Sequence, residues 1–190
     1  MITILGMHRS GTSALAGALH KVGANMGQES AWLKAASDNP RGFFEYRPVV
    51  DLNRAILLAM GGTWSSPPPL PQGWVDDPGL EDIARDAGDL AGEVAREMVV
   101  KDPRMSLVQP FWERITAVPA SVLCLRNPVA VANSLLSRND FAIDHGLFLW
   151  FRYTAAAVIN RPEALRVEYE LLLSEPVEQL ERTLAHIGME

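Results

Sequence analysis

Three short apolar runs in this chain each empty into residues suited to holding an anion. Ile2-Thr3-Ile4-Leu5 runs into Gly6-Met7-His8-Arg9-Ser10-Gly11-Thr12-Ser13, Met98-Val99-Val100 into Lys101-Asp102-Pro103-Arg104, and Ser121-Val122-Leu123-Cys124-Leu125 into Arg126-Asn127-Pro128. The first is the most informative. A strand, a tight loop with two glycines and an Ala/Leu-rich helix aim backbone N–H groups and the positive end of a helix dipole at a phosphate. Against the nucleotide-binding pattern G-x-x-x-x-G-K-[ST], Gly6, Gly11 and Ser13 fit, but Thr12 stands where the lysine belongs. Arg9 supplies a cation inside the loop instead. The expectation is a phosphate loop not built for ATP.

The elements that must position these residues follow from apolar spacing and breakers. Strands are expected at 2–6, 98–101, 121–125 and 165–169, and helices at about 13–22, 47–60, 79–97, 111–117, 146–160 and 176–187. A further helix opens at Asn127-Pro128, because proline suits the first helical turn. Residues 24–44 read as irregular, with a turn at Asp38-Asn39-Pro40-Arg41-Gly42, and Ser65-Ser66-Pro67-Pro68-Pro69 through Gly73 as a stiff loop or pocket rim. Strands alternating with helices predict an α/β fold, a three-layer sandwich with a mostly parallel central sheet flanked by helices. Ligands on such sheets bind beyond the carboxyl ends of the strands. There Arg9, Lys101 with Arg104, and Arg126 would make a basic pocket on an otherwise acidic protein.

At 190 residues the chain fits a single domain, 1–190. Its net charge of −6 argues against a nucleic-acid or anionic-membrane surface, which needs a basic face. The single cysteine, Cys124, reads as a buried strand thiol, and one cysteine permits no internal disulfide. The N-terminus lacks the pattern of a secretory signal, and no window reaches a membrane span of ~18 apolar residues. These features together predict a cytoplasmic protein. No Cys/His cluster has metal-ligand spacing, so no metal is expected.

The loop Gly6 to Ser13 resembles the 5′-phosphosulfate-binding loop of sulfotransferases, a basic residue followed by Ser-Gly-Thr-Thr/Ser. Arg126-Asn127-Pro128-Val129-Ala130-Val131-Ala132-Asn133-Ser134 is similar to their 3′-phosphate motif, an arginine ending a strand and a serine eight positions later. Arg138 falls where the tyrosylprotein branch places another arginine. Asn39 to Glu45, Lys101 to Arg104 and Val167 to Pro176 resemble segments of bacterial members. The likeness spans residues 2 to about 188 and leans toward the tyrosylprotein and glycan branch.

The resemblance implies a P-loop-type fold and a donor, 3′-phosphoadenosine 5′-phosphosulfate (PAPS), whose sulfuryl group passes to a hydroxyl or amine without metal. It implies that Arg9 and the N–H groups of Ser10, Gly11, Thr12 and Ser13 hold the 5′-phosphosulfate, and that Arg126 and Ser134, with Arg138, hold the 3′-phosphate. Lys101, with Arg9, would neutralise the leaving phosphate oxygen. The histidine that the cytosolic branch places after this lysine is replaced by Pro103. The glutamate of the other branches corresponds to Glu45, flanked by Phe43, Phe44 and Tyr46, whose apolar surroundings would raise its pKa. Glu45 is the first candidate for general base, and a carboxylate serving the helix from 47 is its alternative. Asp102 is second, with a structural pairing to Arg104 as its own alternative.

His8 would touch the sulfonate or shape the loop, and His145 would line the acceptor pocket or sit in solvent. Trp32, Phe43, Phe44, Trp64, Trp74, Phe148 and Trp150 are acceptor-pocket candidates, with a core role favoured for Phe148 and Trp150. The expected acceptor is a glycan or small molecule, preferably a carbohydrate or small hydroxylated metabolite. Many relatives close the donor site with a basic C-terminal segment; none follows Gly188 here, which implies a more open site or one completed by a partner or a missing tail. Two other readings stay open: a P-loop kinase or NTPase, with Asp102 holding magnesium, and a non-catalytic nucleotide-binding scaffold.

Overall fold

The computed structural model describes residues 1–36, 39–94 and 97–189. Strands β1 (Ile2–Leu5), β2 (Val99–Lys101), β3 (Ser121–Leu125) and β4 (Leu165–Glu168) form one sheet in the order β2-β1-β3-β4. Every pairing is parallel, with Thr3 opposite Val100 on one side and Ser121 on the other. The helices are α1 (Thr12–Lys21), α2 (Arg47–Ala59), α3 (Glu81–Glu93), α4 (Met105–Ile115), α5 (Pro128–Asn139), α6 (Ile143–Asn160), α7 (Tyr169–Ser174) and α8 (Pro176–Ile187).

The pleat sorts the apolar runs between two cores. Successive strand side chains point to opposite faces, so a continuous apolar run feeds both when helices cover both. Leu5, Val100 and Leu123 join residues of α2 to α6 on one face, including Ile56, Leu90, Phe111, Trp112, Leu135 and Leu149. Ile4, Val99, Val122 and Cys124 pack on the other with Leu15, Ala16 and Leu19 of α1 and Ile187 of α8. The expected α/β three-layer arrangement with a parallel sheet is therefore present. The central strand β1 is wholly buried, and its Thr3 hydroxyl shares a 2.7 Å hydrogen bond with Ser121.

Four elements differ from expectation. The helix expected over 111–117 starts at Met105 and contains Pro110. Proline deprives the carbonyl four residues back of its helical donor, and the freed Ser106 carbonyl instead accepts from Asn160 Nδ2 at 3.2 Å. The helix expected from Gly146 begins at Ile143, so Gly146 lies inside α6 rather than at its boundary. Tertiary packing overrides the glycine signal, because a Cβ there would stand 2.8 Å from Ala132 Cα of α5. Helix α7 was not anticipated between β4 and α8. The helix expected over 79–97 spans Glu81–Glu93 behind a single 3-10 turn; residues 95 and 96 lie outside the described residues. So does Asp38, although the rest of its turn closes from Gly42 N–H to the Asn39 carbonyl at 3.0 Å. No helix among the described residues is long and apolar enough to cross a membrane.

Filling the α5–α6 contact should be costly. Gly146→Val is expected to lower stability by about 1–3 kcal/mol through overpacking. Urea unfolding should show an earlier midpoint at an unchanged slope; an unaltered midpoint would mean that the two helices do not need the close approach.

Candidate active site

The carboxyl ends of β1, β2 and β3 open on one cleft of about 580 Å³, lined by residues of the loop after β1, Lys101, Arg104 and Arg126. The loop turns through left-handed conformations at Arg9 (φ 71°) and Gly11 (φ 92°). Arg9 accepts a conformation that is uncommon for a non-glycine residue. Gly11 cannot be replaced freely, because a Cβ would overlap the Tyr169 ring. Gly11 also caps α1 with no side-chain hydrogen bond, and the first turn of α1 holds no acid. The helix therefore presents its N-terminus, with Gly11, Thr12 and Ser13, to the cleft. Ser10 departs from the expected role: its N–H donates to the Met7 carbonyl at 3.1 Å and its side chain is buried, so it shapes the turn.

The two stretches that suggested a phosphate site meet directly. Arg9 Nε donates to Ser134 Oγ at 2.8 Å, and Arg126 donates to the Arg9 carbonyl at 2.9 Å. The Arg126 guanidinium lies 4.5 Å over the Tyr169 ring, and Trp150 Nε1 donates to the Arg126 carbonyl at 3.0 Å. Asn127 caps α5 by accepting from the N–H groups of Val129 and Ala130, which fixes Ser134 two turns on. Arg126 Nε is buried with no hydrogen-bond partner among the described residues. A buried, unpartnered donor beside an open helix N-terminus fits an anionic ligand. Arg138 lies 6.0 Å over the Phe43 ring on the same cleft.

Deeper in, Lys101 and Glu45 form a buried ion pair at 2.6 Å. Lys101 Nζ also donates to Ser13 Oγ at 3.0 Å and to the Phe43 carbonyl at 3.1 Å, so all three ammonium hydrogens are occupied. Between the Phe43 carbonyl and the Glu45 carboxylate, Phe44 adopts a left-handed φ of 53°. Such a conformation costs on the order of 1–3 kcal/mol and persists where surrounding packing over-determines it. Here the Phe44 ring packs on Trp32 and Gly17. Burial pushes the Glu45 carboxyl above the ordinary carboxylate range, and the Lys101 cation opposes that rise. The carboxylate thus serves Lys101 rather than the α2 N-terminus, where Tyr46 caps without a side-chain bond.

Asp102 is fully buried. It accepts from Arg104 N–H at 3.0 Å, Arg104 guanidinium at 2.8 Å and Asn53 Nδ2 at 2.9 Å, while Asn53 accepts from Trp112 Nε1 at 2.7 Å. The structural pairing with Arg104 is the role it fills. His8 packs 4.5 Å from the Trp64 ring, with Nε2 buried and unpartnered among the described residues. Burial, then the charges of Arg104, Lys101, Arg138 and Arg9, hold its pKa well below the usual histidine value, so it is neutral. His145 lies outside the cleft lining, against Phe141 and Phe148.

Of the aromatic candidates, Phe43 and Trp64 line the cleft, Trp74 is in the core, and Phe148 is exposed rather than core. Tyr169 and Asn53 were missed as site residues. Tyr169 directly follows β4, as Arg126 follows β3; Asn53 carries no sequence signal, because its role depends on α2 packing against the residue after β2. Among the described residues, no group of three or more His, Cys, Asp or Glu side chains is placed to hold a metal ion.

No protein-family model and no curated protein matches this sequence. Among solved structures, the chain is similar to the sulfotransferase domain from the Synechococcus PCC 7002 olefin synthase, at 17% identity and a TM-score of 0.52. The match covers 100% of this chain and 73% of that one. At that identity the likeness is one of fold: the chain has the α/β architecture of a sulfotransferase domain.

Proposed function

We propose that this chain transfers a sulfuryl group from PAPS to a hydroxyl or amine acceptor, with a carbohydrate or small hydroxylated metabolite as the preferred class. The observation that carries the reading is the convergence of Arg9, Arg126 and Ser134 at an uncapped helix N-terminus, in the same cleft as the Lys101–Glu45 pair. The fold likeness to a sulfotransferase domain supports it.

On this reading Arg9 and the N–H groups of Gly11, Thr12 and Ser13 hold the 5′-phosphosulfate. Arg126, with Ser134 and Arg138, holds the 3′-phosphate, and a guanidinium fork suits that geometry. The donor supplies an activated sulfur: a bond forms from the acceptor oxygen to sulfur, and the sulfur–oxygen bond to the phosphate breaks. Glu45 takes the proton that the acceptor loses. Lys101 must exchange one internal partner to reach the leaving oxygen, and Ser13 Oγ is the partner that lies in the phosphate loop. Positioning and charge neutralisation then supply most of the acceleration. A cytoplasmic setting and a metal-independent reaction belong to the same reading.

Phosphoryl transfer is the competing enzyme reading, and Asp102 weighs against it. The carboxylate that would hold magnesium accepts three hydrogen bonds from Arg104 and Asn53, and the loop lysine is replaced by Thr12.

Calorimetric titration with 3′-phosphoadenosine 5′-phosphate (PAP) tests the donor. Binding is expected without magnesium, not matched by ATP, and weakened about 10- to 100-fold in Arg126→Ala by loss of charged hydrogen bonds. Tighter binding of magnesium ATP would overturn the reading in favour of a kinase, and PAP binding without turnover of PAPS would leave a scaffold. The acid limb of kcat against pH should lie above the usual carboxylate range, since Glu45 must be ionised to accept a proton. Glu45→Gln should lower kcat by about 10²- to 10⁴-fold and abolish that limb. A variant with full activity would remove Glu45 as the base.

A further inference from the structure

The donor reading leaves a second group of cations in the cleft without a role. Lys34, Arg47 and Arg54 line it together with Arg104 and Trp64. They approach from a different side. Arg126 and Ser134 come from β3 and α5, whereas Arg47 and Arg54 sit on α2, whose Asn53 is bonded to Asp102 beyond β2. In the sheet, β2 and β3 lie on opposite sides of β1. Seven positions apart, Arg47 and Arg54 are two helical turns apart on one face of α2.

The local acids do not account for this charge. Glu45 is committed to Lys101 and Asp102 to Arg104. Asp51 reaches Arg54 at 3.4 Å, but both side chains are about half exposed (55% and 54%), where an ion pair contributes little. Among the described residues, Arg47 and Lys34 have no carboxylate partner. Arg47 is moreover the first residue of α2, where the helix dipole disfavours a cation, and that first turn holds no acid. On a chain of net charge −6, this concentration of positive charge on one wall calls for a ligand.

We infer that the acceptor is itself anionic: a hydroxylated molecule carrying a carboxylate or a sulfate ester near the reacting hydroxyl. Arg47 and Arg54, with Lys34, hold the anionic group, and Trp64 offers a flat wall to the ring that bears it. The inference rests on the sulfuryl-transfer reading and names the substrate class of the same cleft.

Calorimetry on the protein saturated with PAP tests it, using 4-nitrophenyl β-D-glucoside, the matching glucuronide and the matching glucoside 6-sulfate as probes. At least one anionic probe should bind about tenfold more tightly than the neutral one, and which one does so separates carboxylate from sulfate recognition. That advantage should shrink as salt rises from about 50 to 500 mM. The double variant Arg47→Ala/Arg54→Ala should lose it while still binding PAP, which also shows that the variant is folded. Equal binding of the neutral probe, failure of both anionic probes, or a preference that survives in the double variant overturns the inference. Failure of PAP itself to bind would instead sink the donor reading.

Discussion

Burying Lys101 and Glu45 against each other ties three distant segments into one site. Lys101 ends β2, Glu45 closes the irregular stretch before α2, and Ser13 belongs to the first turn of α1. Each ion alone would carry a desolvation penalty of several kcal/mol, so neither is tolerated without the other. Removing one partner of such a pair typically costs about 3–5 kcal/mol. The pair therefore fixes Phe43 to Glu45 onto the end of β2, and the left-handed Phe44 is the local distortion that lets the Phe43 carbonyl and the Glu45 carboxylate reach the same ammonium. It also sets the chemistry. Burial raises the proton affinity of Glu45, the Lys101 charge restrains the rise, and the result is a carboxylate with a partner in reach of the phosphate loop.

Around that pair the fold separates two kinds of positive charge. The β1 and β3 ends supply Arg9 and Arg126, linked through the Arg9 carbonyl and Ser134. The β2 side supplies Arg104, neutralised by Asp102, and beyond it the exposed arginines of α2. The network Trp112–Asn53–Asp102–Arg104 is buried and connects α4, α2 and the residues after β2. A buried hydrogen-bonded network of this kind anchors site residues to helices and a strand end.

Much of this was legible in the sequence, because the signals were periodic or local. Three short apolar runs, a fourth strand candidate over 165–169 and intervening helical patterns predict a parallel α/β sheet, and a parallel sheet delivers Gly6 to Ser13, Lys101 and Arg126 to one edge. The Asn127-Pro128 helix start and the buried Cys124 were equally local. What stayed hidden depends on tertiary partners. Pro110 inside α4 is tolerated because Asn160 takes the freed Ser106 carbonyl, and Gly146 inside α6 because Ala132 needs the space. The Ser134 hydroxyl accepts from Arg9, a contact across 125 positions that no local pattern encodes. Ser10, placed by motif among the phosphate ligands, spends its N–H on the turn that shapes the loop.

Base catalysis by Glu45 depends on where its carboxyl ionises. Carbon NMR of the protein labelled at its glutamate carboxyl groups, with the signal assigned through Glu45→Gln, reads that titration without a donor or an acceptor. The midpoint should lie above the ordinary glutamate range and move higher still in Lys101→Met as the opposing cation is lost. A midpoint at or below the ordinary range would contradict that role, because Glu45 would then be an ion-pair anchor for Lys101 rather than a carboxylate poised to take a proton.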